Sequence, residues 1–281
     1  MIMSKQNIAG IKVLSLYLLL ILTCFTGCQE VVDIDVDDFE QKLVIDGSIT
    51  DTHEKNFVKL YYPENAFKPS SIQNVSGAKV TLSDNTGNSE ILKESEPGLY
   101  LISSITGVPG RTYTLHVENS GKIYTGISIL QQPMEFDEIK FEKYSSTALG
   151  VTLYEYYKIK FYLTNLRGSD EYCMIKISDN SSLNYISATI YREQYADGRQ
   201  FVIDNISRRF NKNTVVTVEL LSIDKTSYEY FRQLNELAGE GDITVSDILS
   251  MNSFNPKSNL SNGALGCFCA YSYKKYTVTA K

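Results

Sequence analysis

AKVTLSDNTGNSEILKESEPGLYLISSITGVPGRTYTLHVE, residues 78–118, decides the fold class. Val80 and Leu82 fall on one side of its first run and Lys79, Thr81 and Ser83 on the other, the alternation of a half-buried strand. Asp84-Asn85-Thr86-Gly87-Asn88 then carries the residues of a tight turn. Ser89–Ser95 reads as the returning strand. Pro97-Gly98 and Val108-Pro109-Gly110 are further turns on either side of LYLI. In the last run Tyr113, Leu115 and Val117 point inward while Thr112, Thr114 and His116 point out. Short strands with turn signals roughly ten residues apart predict a β-sandwich.

The pattern extends both ways. Leu43, Ile45 and Ile49 alternate with Val44, Asp46 and Ser48, and FVKLYY at 57–62 is a second run. Asn119-Ser120-Gly121 turns into KIYTGISIL, so residues 41–130 form one predicted β-domain. Gln131-Gln132-Pro133 marks the boundary to a second, 131–281. That domain is also strand-rich. Tyr157, Ile159, Phe161 and Leu163 alternate with Lys158 and Lys160, and YCMIKIS and TVVTVELLS follow. One helix interrupts near 226–238. Thr226-Ser227-Tyr228-Glu229 has the form of a capping box. Tyr228, Phe231, Leu234 and Leu237 make an apolar stripe expected to pack on a sheet, and Gly239 is the expected C-terminal cap. LGCFCAYSYKKYTVT closes the chain as a long strand or hairpin, with Cys267 and Cys269 on one face. The fold class is therefore mainly β: two sandwich-like domains, the second with an inserted helix.

The first forty residues give an address. Lys5 and Lys12 precede the apolar run Val13–Leu22, which is shorter than the about 20 residues a membrane span needs. It fits the core of a secretory signal, residues 1–27. Phe25-Thr26-Gly27-Cys28 then places small residues directly before a cysteine. Cleavage between Gly27 and Cys28, with lipid on the Cys28 thiol, is the expected outcome; an uncleaved anchor or a simple secreted protein are the alternatives. Residues 28–40 carry six acidic side chains and no basic one, which predicts an extended tether. The chain is acidic, with a net charge of −6. That argues against nucleic acid, whose binding needs a basic footprint.

Chemistry-bearing motifs are sparse. The two histidines, His53 and His116, sit near no nucleophile motif. Asp137-Glu138 and Asp170-Glu171 read as solvated turns. Cys173, Cys267 and Cys269 are an odd number, so they cannot all pair internally. Burial as small apolar residues, or one bridge from Cys173 to Cys267 or Cys269, are both open. No catalytic residue, metal ligand or cofactor site is assigned. What remains is aromatic. Tyr61 and Tyr62 end a strand before the Glu64–Ser76 loop, and Tyr154 and Tyr156 follow a polar stretch. They are the candidate ligand or partner contacts.

CQEVVDIDVDDFEQKLVIDGSIT, VSGAKVTLSDNTGNSEILKESEPGLYL, TSYEYFRQLNEL and SNLSNGALGCFCAYS, in that order, resemble the Bacteroidota outer-membrane lipoprotein family catalogued as domain-of-unknown-function 4249. Val75–Val117 also resembles the transthyretin-like modules found beside outer-membrane receptors, so the first domain is expected to be immunoglobulin- or transthyretin-like. At Cys267 and Cys269 the chain departs from the family, which more often has aromatic or small residues there. The resemblance implies a lipid-anchored outer-membrane protein, and the acidic residues after Cys28 resemble a signal for export to the cell surface. It further implies a non-enzymatic accessory to a TonB-dependent receptor in nutrient or metal-complex uptake. An adhesin or structural surface protein is the alternative, and a glycan or peptide hydrolase a third reading.

Overall fold

The computed structural model describes residues 41–63, 72–149, 151–164, 170–179, 187–193, 198–204, 206, 208–237 and 255–281. The signal, Gly27, Cys28 and the tether lie outside these, as do Glu64–Ser71 and the expected cap at Gly239. The described residues form sixteen strands and one helix, and 41–281 is one compact unit.

The first half holds β1 (Val44–Thr50), β2 (Phe57–Tyr62), β3 (Gln73–Asn74), β4 (Lys79–Asp84), β5 (Ser89–Ile91), β6 (Lys93–Glu96), β7 (Leu99–Leu101), β8 (Thr112–Asn119) and β9 (Lys122–Ile129). The second holds β10 (Glu138–Ala148), β11 (Val151–Thr164), β12 (Glu171–Asp179), β13 (Ser187–Glu193), β14 (Gln200–Ile203), β15 (Val215–Ile223), the helix α1 (Lys225–Leu237) and β16 (Leu265–Thr279). A nine-stranded sheet runs β13-β12-β15-β16-β1-β2-β7-β6, with β3 beside β2. Two smaller sheets, β5-β4-β8-β9 and β10-β11-β14, complete the fold.

The turns form as their residues dictate. The Asp84 carboxylate accepts bonds from the Thr86 and Asn88 amides, and Gly87 takes φ +97°. Ser120 and Gly121 both take positive φ in the two-residue link between β8 and β9, the conformation that matches the twist of a hairpin. The expected single strand 89–95 is instead two. Leu92 is buried and donates its amide to Val80, and there the chain leaves the four-stranded sheet for the nine-stranded one.

The large sheet backs two cores with one face. Ile45, Ile49, Phe268 and Ala270 join Val80, Leu82, Tyr113, Leu115 and Val117 in the first. Cys173, Ile175, Val218 and Leu220 join Tyr157, Ile159, Phe161 and Leu163 in the second. The chain crosses the 130/131 boundary in both directions: Leu130 belongs to the first core and Met134 to the second, but Leu260, Ala264, Phe268 and Ala270 return to the first. The strand that returns is β16. It pairs parallel with β1 over Leu265–Tyr271 and antiparallel with β15 over Ser272–Thr279. It is a central strand, not a hairpin. The opposite face of the sheet carries Tyr172, Met174, Leu221, Cys267, Cys269 and Tyr271, with Tyr228, Tyr230 and Phe231 of α1 packed against them.

The helix departs from expectation at its start and on its stripe. Asp224, not Thr226, is the N-cap: its Oδ1 accepts the Ser227 amide at 2.7 Å. Tyr228 and Phe231 do pack on the sheet, but Leu234 and Leu237 are exposed.

Candidate functional site

The outer face of the β10–β11 hairpin builds an aromatic ladder. Residues 157, 159, 161 and 163 fill the second core, so by strand alternation Tyr154, Tyr156, Lys158, Lys160 and Tyr162 face outward. Tyr144 of β10 sits directly across from Tyr156. Their rings stack at 5.5 Å between centroids and 8° between planes, and Tyr154 continues the stack at 5.8 Å and 24°. The Arg209 guanidinium lies 4.6 Å from the Tyr156 centroid and the Lys158 ammonium 5.3 Å from that of Tyr144. Tyr154 is 55% exposed at the open end. A bulge between Ser146 and Thr147 shifts the pairing register beside it.

Charged pairs hold the ladder's flanks. Lys160 bridges Glu142 at 2.8 Å and Lys143 bridges Glu155 at 2.7 Å. The Tyr144 hydroxyl donates to Glu142 at 2.5 Å, and that bond, with burial, raises the Tyr144 phenol above its ordinary value. The rings offer flat apolar faces with cations beside them. Such a surface suits a flat, partly polar partner, since aromatic and arginine side chains carry most hot-spot energy at interfaces.

Of the four tyrosines singled out in the sequence, the structure unites Tyr154 and Tyr156. Tyr61 and Tyr62 lie elsewhere, on β2. Tyr62 packs against the first core. Tyr61 lies on the helix-bearing face, beside Asp46, Lys59 and Tyr230. Asp46 keeps access to solvent, yet the protein around it pushes its carboxyl up, and Lys176 and Lys59 pull it partly back. Lys176 is shifted the opposite way by burial and by Lys55, with Glu219 and Asp46 opposing. Lys55 and Tyr273 both bind Glu219 Oε1 at 2.7 Å. Tyr144 and Arg209 were not visible in the sequence, because only strand pairing places them beside Tyr156.

The other sequence candidates sit as follows. His116 is on the outer side of β8, 3.6 Å from Glu118, and His53 is exposed in the β1–β2 turn. Asp170 pairs with Arg192 at 3.0 Å, but its neighbour Glu171 is buried, so that pair is not a solvated turn. Cys173 is buried in the second core, where its thiol is pushed up to about 12, while Cys267 and Cys269 lie on the opposite face. A bridge from Cys173 to either is thereby ruled out. Among the described residues no three His, Cys, Asp or Glu side chains gather as a metal site would require, and no helix is long and apolar enough to cross a membrane. A cleft of about 390 Å³, lined by Ile127, Ile129, Gln131, Tyr172, Lys225 and Thr226, opens at the start of α1.

No curated protein matches the chain. Among solved structures, a two-domain fibronectin type-III segment of chicken tenascin is similar at 11% identity and a TM-score of 0.20, over 65% of this chain and 89% of that one. A likeness at that score carries no weight for function. The model of a family described as a domain of unknown function, DUF4249, matches residues 29–277, and the chain belongs to that family.

Proposed function

We propose that this protein is a lipid-anchored, surface-facing binding protein without catalytic activity, and that the Tyr144–Tyr156–Tyr154 ladder is its contact surface. The observation that carries this reading is the ladder itself. Three stacked rings on the outer side of a hairpin do nothing for the core beneath them, yet ordering such side chains costs conformational freedom. Arg209 adds a cation over the central ring, 4.6 Å from its centroid. The address comes from the sequence: Thr26-Gly27-Cys28 for lipidation and the acidic 28–40 stretch for reach. Resemblance supplies the finer reading, that the protein is an outer-membrane accessory to a TonB-dependent transporter of nutrients or metal complexes.

The native lipoprotein is purified from detergent-solubilised outer membrane. A transporter is expected to co-purify, and a Tyr154→Ala/Tyr156→Ala variant to lose it at least about tenfold, as removal of interface hot spots does. Consistent absence of any transporter sinks the accessory role, and an attachment defect on deletion, with unchanged growth on every nutrient source, moves the protein to adhesion. A Cys28→Ala variant should leave the membrane fraction. If it stays there uncleaved, the apolar segment is an anchor and the lipidation reading fails.

A further inference from the structure

Cys267 and Cys269 meet on β16 in a way neither thiol's burial requires. The two sulfurs are 3.0 Å apart, closer than the roughly 3.5–4.0 Å of ordinary non-bonded contact. Three features of the chain bring them together. Residues two apart on a strand share a face. Phe268 between them is fully buried in the first core, where its ring fits against the bare Cα atoms of Gly47 and Gly126. A side chain on either glycine would approach Phe268 to 3.1 or 3.0 Å. With Phe268 so held, both flanking thiols are fixed on the helix-bearing face. Gly266, just before the pair, takes φ +90° and abuts the Ile45 carbonyl, a kink that only glycine fits. Two residues of strand span about 6.4–6.8 Å, at the long end of the Cα separation a disulfide tolerates. On the other side stands α1: the Ser227 hydroxyl is buried with no well-formed hydrogen bond and acts on Cys267, and Tyr230 lies near both sulfurs.

We infer that Cys267 and Cys269 close an intrastrand disulfide in the exported protein. Cys173 is left as the single free thiol, which also resolves the odd count among 173, 267 and 269. The chemistry is exchange with a donor disulfide. One cysteine, as thiolate, attacks a donor sulfur and expels the donor's other sulfur as thiolate, giving a mixed disulfide. The second cysteine, deprotonated, then attacks the first at sulfur and releases the donor's remaining thiolate. Two thiols become one S–S bond, and their two electrons and two protons end on the donor as its dithiol. In the folded chain the hydrogen bond with the Cys269 sulfur, and then burial, hold the Cys267 thiol well above its ordinary range, and with α1 packed over this face the exchange belongs to the folding chain, before α1 covers β16. The inference rests on the export reading for the donor, since an oxidising compartment supplies it.

The test labels thiols in two settings. Full-length protein in its native membrane is quenched in acid, denatured, blocked with iodoacetamide, reduced and labelled with N-ethylmaleimide. The tryptic peptide 258–274 carries both Cys267 and Cys269, and 168–176 carries Cys173 alone. Two maleimides on the first and iodoacetamide on the second are expected. In parallel, purified full-length protein is refolded from urea in a buffer of oxidised and reduced glutathione, where unreduced peptide 258–274 should be lighter by two hydrogens. Cys267→Ser should leave Cys269 blocked by iodoacetamide. Iodoacetamide on both cysteines in the membrane, together with no loss of two hydrogens in the refolded peptide, overturns the disulfide. Closure in the glutathione buffer with reduced thiols on the membrane overturns the export reading and leaves the pair's chemistry standing.

Discussion

At the scale of single residues, polar side chains decide the turns, and Asp84 shows how. Its side chain is fully buried, yet it accepts bonds from Thr86 and Asn88 and bridges Arg111 at 2.8 Å. Burial alone would raise its carboxyl, but the hydrogen bonds outweigh that and hold it well below the ordinary range. A carboxyl lowered on folding stabilises the fold when ionised. That contribution is complete above the unfolded value of about 3.9 and is lost as the pH falls through the lower folded value. Asp84→Asn should therefore cost about 1–3 kcal/mol at pH 7, measured as a shift in the urea midpoint. The difference from the parent should shrink steadily below about pH 4. A gap that stays constant down to pH 2 would mean that the charge is not what matters. Asp84 was readable as a turn residue because Asx and Gly chemistry is local. Tyr144 was not readable as part of the ladder. Nothing near it in sequence says that Tyr156 lies across the hairpin, and the bulge at Ser146/Thr147 shifts the register at that point.

At the scale of elements, strands were legible where one face is wet. β4, β8 and β11 alternate cleanly because their outer faces meet solvent. β12 does not: Glu171–Ile175 are all buried, since cores lie on both faces of the large sheet there. The helix was legible as a helix but not at its start, for local spacing offers two caps. Tertiary contacts choose between them. Asp224 Oδ2 also takes bonds from the Ser128 hydroxyl at 2.7 Å and the Ile129 amide at 2.9 Å, tying α1 to the end of β9. Asp224→Ala removes the cap and leaves the buried Ser128 hydroxyl and the Ile129 amide without this acceptor, a loss of about 2–3 kcal/mol. Thr226 is exposed, and Thr226→Ala should change stability by less than about 0.5 kcal/mol. Equal losses in the two variants, measured by urea unfolding, would restore the capping box at Thr226.

At the scale of the whole molecule, the element that matters most is the last one. β16 joins β1 on one flank and β15 on the other, so the C-terminal strand lies in the middle of the sheet that backs both cores. Sequence patterns favour neighbours along the chain, and this pairing joins its two ends, where loop-closure entropy must be met by burial. It is met on both sides. Phe268 and Ala270 complete the first core, and Tyr276 and Val278 pack against the second. Losing β16 uncovers both, so the two halves should not be separable units. A fragment of residues 41–130 lacks Leu260, Ala264, Phe268 and Ala270, and β1 in it has no partner on one edge. It should stay unfolded by circular dichroism and amide dispersion. Phe268→Ala in the full chain should cost about 3–5 kcal/mol. Because β16 is shared, that cost should appear equally in amides of β8 and of β12 by native-state hydrogen exchange. A folded 41–130 fragment, or protection lost in β8 and kept in β12, would restore two independent sandwiches divided at residue 130.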